Sequence, residues 1–417
     1  MFPPKLTHSM ALLHENEANL GILTRRRRGF VVLAPIRSLR WLGAIAVVVR
    51  SFSATDLDTD ESPAISSPTT RSGRGWSYNH VEKPEIPWSM HVVTVDRARH
   101  DLGFFSALGG GAAFGMATVP DQIKKLPPDL GLPIAAINGD YYHSQVTCPA
   151  DPQDLQIRQG ELVSGPEGHA CFWITPDGLP QSTNVHSKFR VVLPDGTSLP
   201  FKLNEERLPD SAVLYSSAVG NSTHTREGVE WILKVMPGSP WLPLRTGQTL
   251  IARVRQMRTD GNSPIDFDTL VLSLGQRLAT RVPTLSVGAE LRIITETVPD
   301  LSGVQTAIGG GPTLIRDRKS MEWPGIQTRH PRTAIGWSAT HFYLVVVDGR
   351  QSKLSLGMTL PELAEYMRTL GCDEAMNLDG GGSASLWVYG NVMSSPSEGR
   401  ERPAANSLVL LQRKNSP

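Results

Sequence analysis

Residues 359–383 read TLPELAEYMRTLGCDEAMNLDGGGS, and the order of elements in that stretch decides the fold class. Thr359 and Glu362 have the spacing of a capping box, Pro361 lies in the first turn, and Gly371 ends the helix. Between these signals Leu360, Leu363, Ala364, Met367 and Leu370 recur at helical period and share one face. Glu374 to Leu378 then reads as a short strand running into Asp379-Gly380-Gly381-Gly382-Ser383, and Ala384 to Tyr389 leaves that turn as another. A helix packed on two strands joined by a tight turn predicts an α+β fold. The sheet is expected to be mixed or antiparallel with few helices, not doubly wound.

Upstream, Arg332 to Trp337 and His341 to Val347 read as two strands, the second closed by Asp348-Gly349-Arg350. Gln305 to Ile308 leads into Gly309-Gly310-Gly311-Pro312, and Leu132 to Ile137 ends at Asn138-Gly139-Asp140-Tyr141-Tyr142. Residues 160–300 hold short apolar runs punctuated by turn signals such as Asp195-Gly196, which predicts a β-rich middle section. The 38 glycines and 32 prolines also favour strands and turns over a helical bundle.

Residues 1–75 read differently. Arg25 to Arg28 form a basic run, Trp41 to Val49 (WLGAIAVVV) is unbroken and apolar, and Ser51 to Ala54 are mostly small. Nine apolar residues are too few to span a bilayer, which takes about 20. The order suits a signal peptide or membrane anchor at 41–49, hence an exported protein. Residues 51–75, rich in Ser, Thr, Asp and Pro, read as a disordered linker. The folded domain is then expected over 76–417.

Forty-one basic and 40 acidic residues nearly cancel, so no global field draws the chain to nucleic acid and any anion site must be local. The three cysteines, Cys148, Cys171 and Cys372, make no zinc spacing. Cys148 and Cys171 are either one disulfide or two free thiols. No cofactor or helical metal pair is signalled, and a divalent cation is compatible with the sequence without being indicated by it.

Chemistry concentrates at the glycine turns. Asp379 stands at a strand end beside three glycines, where its carboxylate can face a ligand. Asp-Gly alone begins ordinary tight turns, but Asn377, Gly380, Gly381, Gly382 and Ser383 surround this one. Asn138 and Asp140 occupy the same kind of strand end, and loops fed by strand ends carry binding groups. Arg332 and Arg350 also lie at strand ends, and guanidinium groups suit bidentate phosphate binding. Arg402 is a third candidate. Ser383 lacks the second glycine of a nucleophile elbow, because Ser385 stands there.

Taken in order, Ala135 to Tyr142, Gly309 to Leu314, Arg332 to Gly336, Val347 to Arg350, Asn377 to Ser383 and Arg402 to Leu408 resemble the phosphodiester glycosidase family over roughly residues 90–412. One departure is Gly139-Asp140-Tyr141-Tyr142, where the family commonly has Gly-Gly-Phe-Phe. The resemblance implies hydrolysis of a sugar-1-phosphodiester at the anomeric carbon. For that reaction Asp379 and Asp140, the second of them part of the departure, are the candidate catalytic carboxylates. Asn138, Gly310, Gly311, Thr313, Arg332, Thr333, Asp348, Arg350, Asn377, Gly380, Gly381, Gly382, Ser383 and Arg402 are the substrate-binding set. The implied partner is a sugar-phosphate or glycan. Three other readings stay open: a non-catalytic polysaccharide-binding module, a serine hydrolase acting through Ser383, and a calcium-stabilised β protein with Asp348 and Asp379 as ligands.

Overall fold

The computed structural model describes residues 70–144 and 149–414. The basic run, the apolar run at 41–49, residues 51–69 of the expected linker and Cys148 lie outside them. The chain divides into two units, residues 1–64 and 65–417, and the second is described here. Its first strand, Thr70–Gly73, pairs with Trp76–Lys83, so the sheet begins inside the stretch read as linker. No helix among the described residues is long and apolar enough to cross a membrane.

Among the described residues strand content is 46% against 8% helix, with three α-helices, so α+β is a loose fit and the unit is mainly antiparallel β. The one parallel strand pair among the described residues joins Lys202–Leu203 to Ala212–Tyr215. An eight-stranded sheet has Trp88–Asp96, His341–Val347, Arg332–Trp337 and Glu374–Asn377 at its centre. A five-stranded sheet has Leu132–Asn138 between Leu386–Val388 and Asn406–Gln412.

Alternation along these strands builds the layers. Val93, Val95, Ile335, Trp337, Leu344 and Val346 point from the first sheet into a core shared with Ile137, Leu408 and Leu410 of the second. Their neighbours Val92, Ala334, Val345 and Val347 point the other way, onto the helix Leu360–Thr369 through Leu363, Ala364 and Met367. That helix starts where the sequence predicts, with the Thr359 hydroxyl accepting from Glu362 N and the Glu362 carboxylate accepting from Thr359 N. On the outer face of the second sheet, Ala136, Val409 and Leu411 pack with Val119 of the short helix Val119–Lys124.

The turn at 379–383 is not a hairpin. Glu374–Asn377 belongs to the eight-stranded sheet and Leu386–Val388 to the five-stranded one, so the turn carries the chain across the sandwich. Period-two alternation says which side chains face inward and is silent on which sheet a strand joins.

The middle section forms a twelve-stranded sheet around its own core of Trp231, Phe189, Phe201 and many aliphatic residues. Its strand Thr306–Gly309 pairs with both Glu167–Ile174 and Gln156–Arg158, and delivers Gly309 to Gly311 beside the sandwich. Cys171 and Cys372 are buried free thiols.

Candidate active site

Four strand ends converge where the two sheets of the sandwich meet the middle section. They are the C-terminal ends of Leu132–Asn138, Thr306–Gly309 and Glu374–Asn377, and the start of Arg332–Trp337.

Asn138 ties three of the segments together. Its Nδ2 donates to Asp379 O at 2.6 Å, and its Oδ1 accepts from Thr333 Oγ1 at 2.7 Å and Ser385 N at 3.1 Å. Asn138 and Thr333 are fully buried, so both serve as the frame of the turn. Removing that amide leaves buried partners unsatisfied, each costing about 1–3 kcal/mol. Asn138→Ala is therefore expected to lose about 2–4 kcal/mol in urea unfolding. A loss under about 0.5 kcal/mol, the scale of an ordinary surface substitution, would contradict the framing role.

The two candidate carboxylates come close through the backbone. Asp379 N donates to Gly139 O at 2.9 Å, and Asp140 follows Gly139 directly. Standard backbone dimensions then hold the two Cα atoms within about 7 Å. Asp140 is buried, with Oδ1 accepting from Tyr141 N and Oδ2 from Asp154 N, both at 2.8 Å. Burial raises its carboxyl well above the usual range, helped by the charges of Asp154 and Asp379 and opposed by those two amides. A Cβ at Gly309 would overlap Asp140 Oδ2, so glycine there lets the carboxyl seat against the chain. Asp379 is half-buried. Its carboxyl is also raised, by burial, against the lowering influence of Ser383, the Gly380 amide and Arg402.

Asn377 Nδ2 donates to Gly311 O at 2.8 Å, Leu378 O at 2.7 Å and Tyr141 Oη at 3.0 Å. Tyr141 Oη in turn donates to Gly311 O at 3.3 Å. Burial, then the Asp379 charge, pushes this phenol up to about 12, so it stays neutral. Asn377 Oδ1 is buried without a hydrogen-bond partner among the described residues, and the buried Ser383 hydroxyl lies near enough to Asp379 to lower its carboxyl. Among the described residues no histidine is hydrogen-bonded to Ser383, so nothing there supplies the base that the serine-hydrolase reading needs.

The arginines flank the turn. Arg332 is half-buried, with Nε donating to Met358 O at 2.8 Å and Nη2 to Thr328 O at 3.2 Å. Burial lowers its pKa, with Arg350 acting in the same direction and Tyr141 against it. Arg350 is exposed and takes φ +60°, a backbone region uncommon outside glycine and found at functional sites. Its guanidinium lies against Gly381, itself at φ +59°. Among the described residues neither arginine has a carboxylate partner. Arg402 does, in Glu398, and packs on Gly382. His330, beside both free arginines, has its pKa lowered by burial and then by their charges.

Asp348 stands apart from this group. It is a core carboxylate, accepting from Ser89 Oγ at 2.7 Å, His91 Nε2 at 2.9 Å and Ser395 N at 2.7 Å. It braces the turn that carries Arg350, and its oxygens are occupied, which disfavours the calcium reading.

A cavity of about 520 Å³ opens beside Asp140 and Tyr141, walled by Gly310, Gly311, Thr313, His169 and Trp323 among others. Sequence reasoning passed over His169 and the Asp154 that holds it. One signal was present, Gly168 just before the apolar run Ala170 to Thr175, since glycine at a strand often marks a bulge.

One β-rich scaffold thus gathers two carboxylates of raised pKa, the glycine turns and two arginines without a carboxylate partner among the described residues. Residues 260–411 match the model of the phosphodiester glycosidase family, so the resemblance read from the motifs is shown for that part of the chain. A stretch of 114 residues is 32% identical to the SPbeta prophage-derived uncharacterized protein YomE of Bacillus subtilis (strain 168), spanning 26% of this chain and 18% of that protein. Two solved structures share the fold. A hypothetical protein from Synechocystis aligns with TM-score 0.63 and 19% identity, over 81% of this chain and 62% of that one. A Burkholderia pseudomallei K96243 protein, named for its suspected export, aligns with TM-score 0.60 and 21% identity over 78% and 74%. The catalytic domain of zebrafish N-acetylglucosamine-1-phosphodiester alpha-N-acetylglucosaminidase gives TM-score 0.41 and 16% identity over 85% and 86%, a superposition too loose to build on.

Proposed function

We propose that the protein hydrolyses a sugar-1-phosphodiester at the anomeric carbon, releasing a sugar and a phosphomonoester. The observation that carries this reading is the pair Arg332 and Arg350, without a carboxylate partner among the described residues, beside the Asp379 turn. Two cations held near each other without an anion suit a phosphodiester, whose two non-bridging oxygens take charge-assisted hydrogen bonds. The amide of Gly310 is proposed to face the same charge, while those of Gly311 and Gly381 already donate to Asn377 O and Pro331 O.

The leaving group is a stable anion, so departure needs charge neutralisation more than protonation. Asp379, half-buried beside the arginines, is the carboxylate for the developing positive charge at the anomeric carbon. Asp140, kept toward its neutral form by burial, is the second. The pairing requires their carboxyl groups to lie about 5–9.5 Å apart, on backbones whose Cα atoms are within about 7 Å. The sugar is proposed to lie in the cavity against Tyr141, Thr313 and Trp323. Export, proposed from the order of basic, apolar and small residues at 25–54, puts the reaction outside the cytoplasm.

The test is turnover by the full chain against a panel of sugar-1-phosphodiesters, with release of phosphomonoester as the readout. Hydrolysis of at least one member is expected. Binding of the panel without hydrolysis of any member would instead indicate a polysaccharide- or sugar-phosphate-binding module.

A further inference from the structure

We infer that His169, oriented by Asp154, is a catalytic residue of the proposed hydrolysis, its Nε2 accepting a proton from the water that attacks the anomeric carbon. This rests on the function proposed above and adds a residue that the glycine-turn motifs do not contain.

Asp154 is almost completely buried and holds the imidazole rigidly. Its Oδ2 takes His169 Nδ1 at 2.7 Å and His169 N at 3.3 Å. Its Oδ1 takes Leu155 N at 3.0 Å, Glu167 N at 3.1 Å and Cys171 Sγ at 3.3 Å. A carboxylate this fully engaged can neither rotate nor leave. The Nδ1 contact calls for a proton on that nitrogen, which leaves the lone pair on Nε2. Nε2 has no hydrogen-bond partner among the described residues, and the side chain is 55% exposed.

The backbone aims the ring. The ladder between Glu167–Ile174 and Pro180–Val192 shifts register between Glu167 and Ala170, and Gly168 takes φ +96° there. Such bulges re-aim a side chain and recur next to active sites. Here the bulge turns His169 toward the cavity that Asp140, Gly310 and Trp323 also line. The ionisable groups around the ring are Asp154 beneath it, Asp140 and Glu322 in the cavity wall, Glu167 on its own strand, and His186 against Gly168.

The reaction needs this group. Both Asp140 oxygens already accept backbone amides, and burial disfavours its charged form. Asp379 is committed to the anomeric charge. In the step, the water oxygen bonds to the anomeric carbon as the bond from that carbon to the phosphate oxygen breaks. The bonding pair leaves with the phosphomonoester, and the water proton passes to Nε2 and then to solvent. An imidazole fixed by a carboxylate, with its second nitrogen open to a cavity, is an arrangement suited to general base catalysis.

The test compares the full-length wild type with His169→Ala and Asp154→Asn on a sugar-1-phosphodiester that the wild type hydrolyses. His169→Ala is expected to lower kcat by about 10²–10³-fold, within the range for a lost general base. KM should stay within about threefold, as expected when the lost contact exists only in the transition state. Added imidazole should restore part of the lost rate to His169→Ala and none to Asp379→Asn. Asp154→Asn should lower kcat in the same direction, with circular dichroism reporting whether its fold is kept. A kcat for His169→Ala equal to wild type, or a reduced kcat that imidazole does not raise, overturns this inference and leaves the proposed function standing. A wild type that turns over no phosphodiester removes the reaction itself, and the inference with it.

Discussion

Asp379→Asn is expected to lower kcat on a sugar-1-phosphodiester by about 10²–10⁴-fold, the span typical of a lost acid–base or charge-stabilising group. The amide keeps the shape and can still accept from Ser383 or Gly380, so binding of the phosphomonoester product should change little. A fall in kcat with KM nearly constant marks an interaction made only in the transition state. The same substitution should leave the protein at least as stable at neutral pH. Burial raises the Asp379 carboxyl above its unfolded value. A raised carboxyl favours the fold at low pH, and that contribution is lost as pH rises through the folded pKa. Ionisation of Asp379 with rising pH places a charge in a half-buried site that the asparagine never carries, so melting temperatures compared at pH 4 and pH 7 would show the variant gaining relative to wild type. Equal kcat in the two proteins would remove Asp379 from the chemistry, and a variant losing stability at pH 7 would contradict the assigned cause of the shift.

Much of this site was legible because strand ends and glycines are local signals. The helix Leu360–Thr369 follows from Thr359, Glu362 and Gly371 alone, and its capping box is formed as the spacing predicts. Arg332 and Arg350 are legible as strand-end arginines, yet their lack of acidic partners among the described residues is a property of the tertiary arrangement. Asn138 shows what a local reading misses. It looks like a ligand-binding amide at a strand end, but the partners of its side chain stand 195, 241 and 247 residues away, so it frames the turn. Asp348 misleads in the same way, because Ser89, His91 and Ser395 reach it from other strands and loops. The crossing of the Asp379 turn between two sheets was hidden for a related reason: inward-facing residues look alike whichever sheet they complete. His169 and Asp154 were hidden because their pairing depends on a bulge, and only Gly168 hinted at one.

The arginine pair carries the second large effect. Arg332 and Arg350 repel each other, and burial lowers the Arg332 pKa further, so the protein without anion holds an unfavourable pair of charges. A bound phosphate reverses the sign of that term. Inorganic phosphate should therefore stabilise the wild type by RT ln(1 + [L]/Kd), about 2.7 kcal/mol at 100 times Kd, and raise its melting temperature accordingly. Each charge-assisted contact is worth about 1.5–3 kcal/mol. Arg332→Gln is then expected to weaken phosphate or phosphomonoester binding by about 10–100-fold and to raise KM with it. Arg350→Gln, more exposed and held by one contact to His330 Nδ1 at 3.3 Å, should do less. The double variant should lose the phosphate-induced stabilisation altogether while its phosphate-free melting temperature stays level or rises, since relief of repulsion offsets the lost bonds to Met358 O and Thr328 O. Raising salt should weaken phosphate binding by the wild type more than by Arg332→Gln, because mobile ions screen the charge that the substitution removes. A double variant that phosphate still stabilises as strongly as wild type would place the anion elsewhere and take the proposed substrate class with it.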